Sequence, residues 1–138
     1  MTYQAADLFF SWETLGDVDI GRPNLGPLVP VLVYRLMQYT MRTVLAKEFG
    51  ENRARDLFVA AGRLAGQEFC RQLLDTTVDL DRFLANLQQT LIDLKIGVLR
   101  IEELNTETLE MTLTVTEDLD CSGLPVTDET VCDYDEGF

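Results

Sequence analysis

The residues best equipped for chemistry crowd the end of the chain. Cys121 and Cys132 lie eleven apart in Cys121-Ser-Gly-Leu-Pro-Val-Thr-Asp-Glu-Thr-Val-Cys132-Asp-Tyr-Asp-Glu-Gly-Phe138, with Asp118, Asp120 and Asp133 beside them. Thiolates and carboxylates together suit a metal ion. Two thiolates alone leave a tetrahedral zinc shell incomplete, however, and a spacing of eleven is not a zinc signature. Three cysteines is an odd count, and the start Met1-Thr-Tyr-Gln-Ala-Ala-Asp has neither the basic nor the apolar region of an export leader. The expectation is therefore a cytoplasmic chain with reduced thiols at Cys121 and Cys132. A shared metal and a disulfide between the two are the alternatives. Acidic neighbours disfavour a thiolate nucleophile, so no catalytic thiol is expected. Cys70, beside Phe69, reads as a small buried apolar residue.

The chain contains no histidine. That removes Ser-His-Asp and Cys-His catalysis, histidine-ligated zinc and histidine-ligated haem. No glycine-rich dinucleotide loop is present either. The formal charge of −13 is uneven: residues 1–100 hold all 11 Lys and Arg against 12 acids, and residues 101–138 hold 12 acids and no base. Such an end repels phosphate backbones and anionic headgroups, so nucleic acid is not an expected partner. No apolar run reaches the roughly 18 residues of a membrane span.

At 138 residues the chain reads as a single domain. Residues 1–30 form an irregular N-terminal segment, with a short amphipathic helix over Ala5–Trp12 and Phe9, Phe10 and Trp12 as a docking lid. Residues 31–95 are helical. A first helix over 31–49 carries Val33, Leu36, Met37, Thr40, Met41, Val44 and Leu45 at spacings of three and four, and Gly50 ends it. A second runs to about Leu74, with Leu57, Phe58, Ala61, Leu64, Ala65, Phe69 and Leu73 inward. Asp79 or Asp81 caps a third, whose stripe is Leu80, Phe83, Leu84, Leu87, Leu91 and Leu94, and Gly97 ends it. Residues 96–118 change to period two and read as a β-hairpin: 98–104, a turn at Asn105-Thr106, and 108–116 with Leu109, Met111, Leu113 and Val115 on the buried face. Residues 119–138 are the acidic, cysteine-containing end. Helices first and strands second predict an α+β fold, three main helices packed on one face of a small antiparallel sheet.

Gly62 and Gly66 stand four apart inside the second helix. Each costs about 1 kcal/mol relative to alanine, so close approach of another helix or of a ligand must compensate.

Two motifs carry a family resemblance: Ala61-Gly-Arg-Leu-Ala-Gly-Gln67, and Cys121-x-Gly-Leu-Pro followed by Val131-Cys132 and Gly137-Phe138. Placed straight after a hairpin, they make most of the chain resemble the 4-vinyl reductase domain, in the superfamily of nitric-oxide-sensing and Golgi-transport domains. The resemblance implies a homodimer with an apolar pocket between helices and sheet for a hydrocarbon, aromatic or acyl ligand. It gives Met37, Tyr39, Met41, Phe58, Gly62, Leu64, Gly66, Phe69 and Met111 as pocket residues. Arg35, Arg42 and Arg63 read first as solvated or ion-paired surface residues, with a charge for a ligand's carboxylate tail as the alternative. Some members hold zinc through a cysteine matching Cys132. Their other ligands lie in a closing hairpin absent here, so zinc is not expected, and the chain reads as a truncated member or a fragment. The family name implies reduction of a tetrapyrrole vinyl group, for which no acid–base pair stands out. The expected function is non-enzymatic binding or sensing of a small hydrophobic ligand. The alternative is a dimerisation or partner-interaction module.

Overall fold

A computed structural model describes residues 10–128 and 132–138. The helix expected from Ala5 falls mostly outside them, as do Phe9 and Val131. Two compact units make up the chain: residues 1–68 with 133–138, and residues 69–132. The α+β class is as the sequence implies. Among the described residues no helix is long and apolar enough to cross a membrane.

In the first unit a 3-10 turn at Trp12–Leu15 and a four-residue helix α1, Val18–Gly21, precede α2, Val31–Phe49. Pro30 at the N-cap has the extended backbone that admits a helix start. Gly50 terminates α2 at φ +86, its N–H donating to the Ala46 carbonyl; only glycine adopts that conformation cheaply. Helix α3, Glu51–Leu73, begins at once. The first unit closes with α5, Asp133–Gly137.

Most of the apolar stripe expected to be the inner face of α2 is left exposed, and only Met37, Met41 and Leu45 reach a cleft against α3. Leu32, Val33, Leu36, Met37, Met41 and Val44 are 50–74 % exposed, and its one buried residue is Gln38. The side turned inward carries Arg42, which pairs with Asp133, and Gln38, which lines a cleft.

In the second unit α4, Leu80–Asp93, is capped by Asp79, whose carboxylate accepts from the Arg82 N–H at 3.0 Å. Just before it, the Thr77 hydroxyl and then its amide hold the Asp75 carboxyl below the usual range. Asp79→Ala should cost about 1 kcal/mol in chemical denaturation, the usual worth of an N-cap. The helix stops at Leu94, and Lys95 at φ +60 makes the left-handed turn expected of Gly97. Gly97 serves instead as a spacer, since an added Cβ there would meet Val115 Cγ1.

Strand β1, Val98–Leu104, and β2, Met111–Thr116, pair antiparallel, with Leu99 opposite Val115 and Ile101 opposite Leu113. An irregularity between Ile101 and Glu103 shifts the register. Helix α4 packs on β1, where Leu91 and Leu99 join Phe69 in a core cluster and Gln88 Nε2 donates to the Leu99 carbonyl at 3.1 Å. The second strand is shorter than expected. The Asn105 side chain accepts from the Glu107 and Thr108 amides, and Asn105 N–H donates to the Glu110 carbonyl, so the connection extends to Glu110. Leu109 stands in that turn at φ +59. The face expected to be buried is open: Met111, Leu113 and Val115 are 37–45 % exposed. Alternation marks which side of a strand is apolar. Burial needs a layer above it, and α4 supplies one to β1.

Candidate functional site

The cysteine turn holds the most reactive residue types of the chain. Asp118 Oδ1 accepts from the Asp120 and Cys121 amides, at 2.7 and 2.9 Å, and the Asp118 N–H donates to Ser122 Oγ. This carboxylate-centred turn fixes Cys121, which is joined to Cys132 as a disulfide with Cα atoms 6.2 Å apart, inside the range a disulfide spans. The reading of both as reduced thiols is therefore corrected. Residue count argued for free thiols, but the Asp118 turn brings one sulfur within bonding distance of the other. Each sulfur is committed to its partner, so in this state neither is a thiolate ligand, and Cys121 and Cys132 do not fit the zinc reading. A disulfide is also the oxidised state of the pair, which a reducing compartment opens. Cys70 is free and half-buried.

The second site is an apolar cleft in the first unit, about 190 Å³ in volume. Tyr34, Met37, Gln38, Met41 and Leu45 line it from α2, at spacings of three and four that place them on one helix flank. Leu57, Phe58 and Ala61 come from α3, and Tyr134 from α5. Phe58 is buried, whereas Met37 and Met41 are half exposed and form a rim. Gln38 is 6 % exposed, and its Oε1 has no hydrogen-bond partner among the described residues. A buried acceptor left unpaired costs about 1–3 kcal/mol, so the cleft contains one strong, localised demand for a donor.

What holds the Tyr134 wall in place is charge. Asp133 is 2 % exposed and receives two guanidinium groups: Arg42 Nε at 3.2 Å on Oδ2 and Arg55 Nε at 3.6 Å on Oδ1. Outside them, Glu51 takes Arg42 at 3.3 Å and Glu136 takes Arg55 at 2.9 Å. Glu136, by hydrogen bond and charge, and then Asp133, by charge, hold the Arg55 guanidinium above its ordinary value. Arg42 is thus ion-paired, the first of the readings its sequence position offered, and its guanidinium is engaged by Asp133 and Glu51. Arg63 lines a separate polar groove with Arg55 and Glu136.

Backbone contact completes the seating of α5. An added Cβ at Gly62 would fall on the Tyr134 carbonyl, one at Gly66 on the Phe138 carbonyl, and one at Gly137 on the Val59 carbonyl. The glycine pair thus answers its own cost by close helix approach, one of the two readings its spacing allowed.

Of the pocket residues expected from sequence, Met37, Met41 and Phe58 come together in this cleft. Gly62 and Gly66 face α5, and Phe69 belongs to the core cluster with Leu91 and Leu99. Met111 stands on β2, partly exposed, while Tyr39 and Leu64 are half-buried and do not line the cleft. Sequence reasoning missed Gln38 and Tyr134. Gln38 interrupts an apolar helix among Met37, Tyr39 and Met41, and that interruption was the available signal. Tyr134 lies within the motif Cys132-Asp-Tyr-Asp-Glu-Gly-Phe138 but gives no periodic sign of a wall. No protein-family model, curated protein or solved structure matches the chain.

Proposed function

We propose that the chain is a non-enzymatic binding module of the 4-vinyl reductase kind, and that its α2–α3–α5 cleft takes one small hydrophobic molecule with a single hydrogen-bond donor. The observation that supports this reading is Gln38 Oε1, buried and unpartnered in an otherwise apolar wall. Size narrows the ligand. An apolar cavity of about 150 Å³ accommodates benzene, so 190 Å³ suits one aromatic ring or a short acyl chain. A tetrapyrrole is several times larger, which weighs against the vinyl-reductase reading. The paired methionines at the mouth adapt to ligands of differing outline.

Phenol and toluene test this, titrated into the untagged protein by calorimetry or ligand-observed NMR. Both should bind, with phenol about ten-fold tighter, the worth of one hydrogen bond to a buried acceptor. Gln38→Leu should abolish the preference while leaving toluene bound. Absence of binding by either compound at millimolar concentration ends the proposal, and an unchanged preference in Gln38→Leu removes Gln38 from it. The interaction-module reading draws support from a different feature, the exposed apolar face of α2.

A further inference from the structure

Three consecutive residues carry three different ties. Cys132 is bonded to Cys121, Asp133 receives Arg42 and Arg55, and Tyr134 walls the cleft. The chain crosses from the second unit to the first at this step, between Cys132 and Asp133. Its other crossing lies inside α3, between Glu68 and Phe69. No residue therefore separates the disulfide from the ion pairs that seat α5.

We propose that the Cys121–Cys132 disulfide is a redox latch on the cleft: oxidised, it holds α5 to its seat, and reduced, it lets α5 and the Tyr134 wall leave. The physical basis is loop closure. Helix α5 has five residues, too few to hold a helix by itself, so its docking depends on how closely its start is held. The Asp118 carboxylate fixes Cys121 and its turn through two backbone amides, and the disulfide passes that constraint to Cys132. Without the bond, the tie from Cys121 to Cys132 is eleven residues of chain. The closure probability falls as about the 3/2 power of length, so opening the bond weakens docking by at most about thirty-fold.

A dithiol reductant supplies the chemistry. One of its thiolates attacks a sulfur of the pair to form a mixed disulfide, and its second thiolate resolves that bond. The reductant leaves as its own disulfide, having given two electrons and two protons, and the S–S bond of the chain becomes two S–H groups. Cys121 and Cys132 are half-buried, not sealed. After the step Cys121 keeps its place, since its amide still donates to Asp118 Oδ1 and the same oxygen lies 3.5 Å from its sulfur to accept from the thiol. The Cys132 side is the one released. The effect on ligand binding rests on the binding reading above, whereas the latch on α5 does not.

Hydrogen exchange followed by NMR, with and without dithiothreitol, tests the latch first. A Cys70→Ser background leaves one possible disulfide. The Phe138 amide, which donates to the Tyr134 carbonyl at 3.0 Å, reports α5. Its protection should fall about ten- to thirty-fold on reduction. The Leu91 and Leu99 amides, in the core of the second unit, should keep theirs. A variant with both Cys121→Ser and Cys132→Ser should match the reduced protein and ignore dithiothreitol. Unchanged protection at Phe138 overturns the proposal. Equal loss at Leu91 and Leu99 does so too, because the disulfide is then a general brace. So does failure of the two thiols to pair under oxidised glutathione, read by alkylation and mass spectrometry. Toluene titration then reads the cleft. Binding weakened several-fold by dithiothreitol, with no such response in the double-serine variant, supports the coupling. Equal binding by both forms, with α5 released, removes the cleft from the latch. Loss of Phe138 protection in a protein that binds no toluene in either form retains the latch and rejects the ligand reading.

Discussion

Gly62→Leu should destabilise the chain by about 3 kcal/mol and release α5 from α3. The reasoning turns on sign as well as size. On an exposed helix surface, replacing glycine stabilises by about 1 kcal/mol through helix propensity alone. At Gly62 the first atom added already overlaps the Tyr134 carbonyl, and backbone cannot swing aside as a long side chain can. Gly62→Ala is therefore expected to be net destabilising, by about 1 kcal/mol after the propensity gain is offset. Gly62→Leu adds a branched side chain at the same point and leaves α5 no seat. Urea denaturation gives the stability. Hydrogen exchange across residues 133–138 shows whether α5 is released. If Gly62→Ala is more stable than wild type, α5 does not lie against α3 as described. Because Tyr134 is one wall of the cleft, undocking α5 should also abolish toluene binding, so a packing change reads out at the site.

The same helix shows how far the sequence could be read. Element existence was legible because it depends on local rules: period 3.6 over 31–49, the Gly50 stop, the Asp79 cap, and period two over 98–104. The glycine pair announced a close approach because its cost required one, but spacing does not say what approaches. Direction was less legible. Periodicity locates an apolar stripe on α2 without stating that the stripe faces inward, and here the structure turns Gln38 and Arg42 inward instead. That choice depends on Asp133, 91 residues away in sequence, which no local pattern reports. The same holds for β2, whose alternation is clear but whose apolar side has no layer over it. Three of the pocket residues were legible as large apolar groups near one another on α2 and α3. Tyr134 was not, because it reaches the cleft only through the seating of α5.

Asp133→Ala should cost about 2–3 kcal/mol, and its partners should share that cost unequally. Removing one member of a buried ion pair typically costs 3–5 kcal/mol, because the surviving charge is left desolvated. Here the figure is discounted. Arg42 keeps Glu51, Arg55 keeps Glu136, and Arg55 is half exposed, so solvent screens it. Double-mutant cycles separate the two arms. The Asp133–Arg42 coupling, at 3.2 Å with an arginine side chain 18 % exposed, should be the larger. The Asp133–Arg55 coupling, at 3.6 Å with one 50 % exposed, should be smaller and should shrink in about 1 M salt, where the Debye length falls to about 3 Å. Equal couplings, or a salt-insensitive Arg55 arm, would contradict this division. The unequal arms have a structural consequence. Arg42 sits on α2 and Asp133 begins α5, so the stronger arm ties α5 to α2, while the glycine contacts tie it to α3. Both are needed to hold Tyr134 over the cleft, because a helix of five residues has too few contacts to hold its own position. Asp133→Ala should therefore weaken toluene binding without touching a single cleft-lining residue, and Arg42→Met should do so more than Arg55→Met.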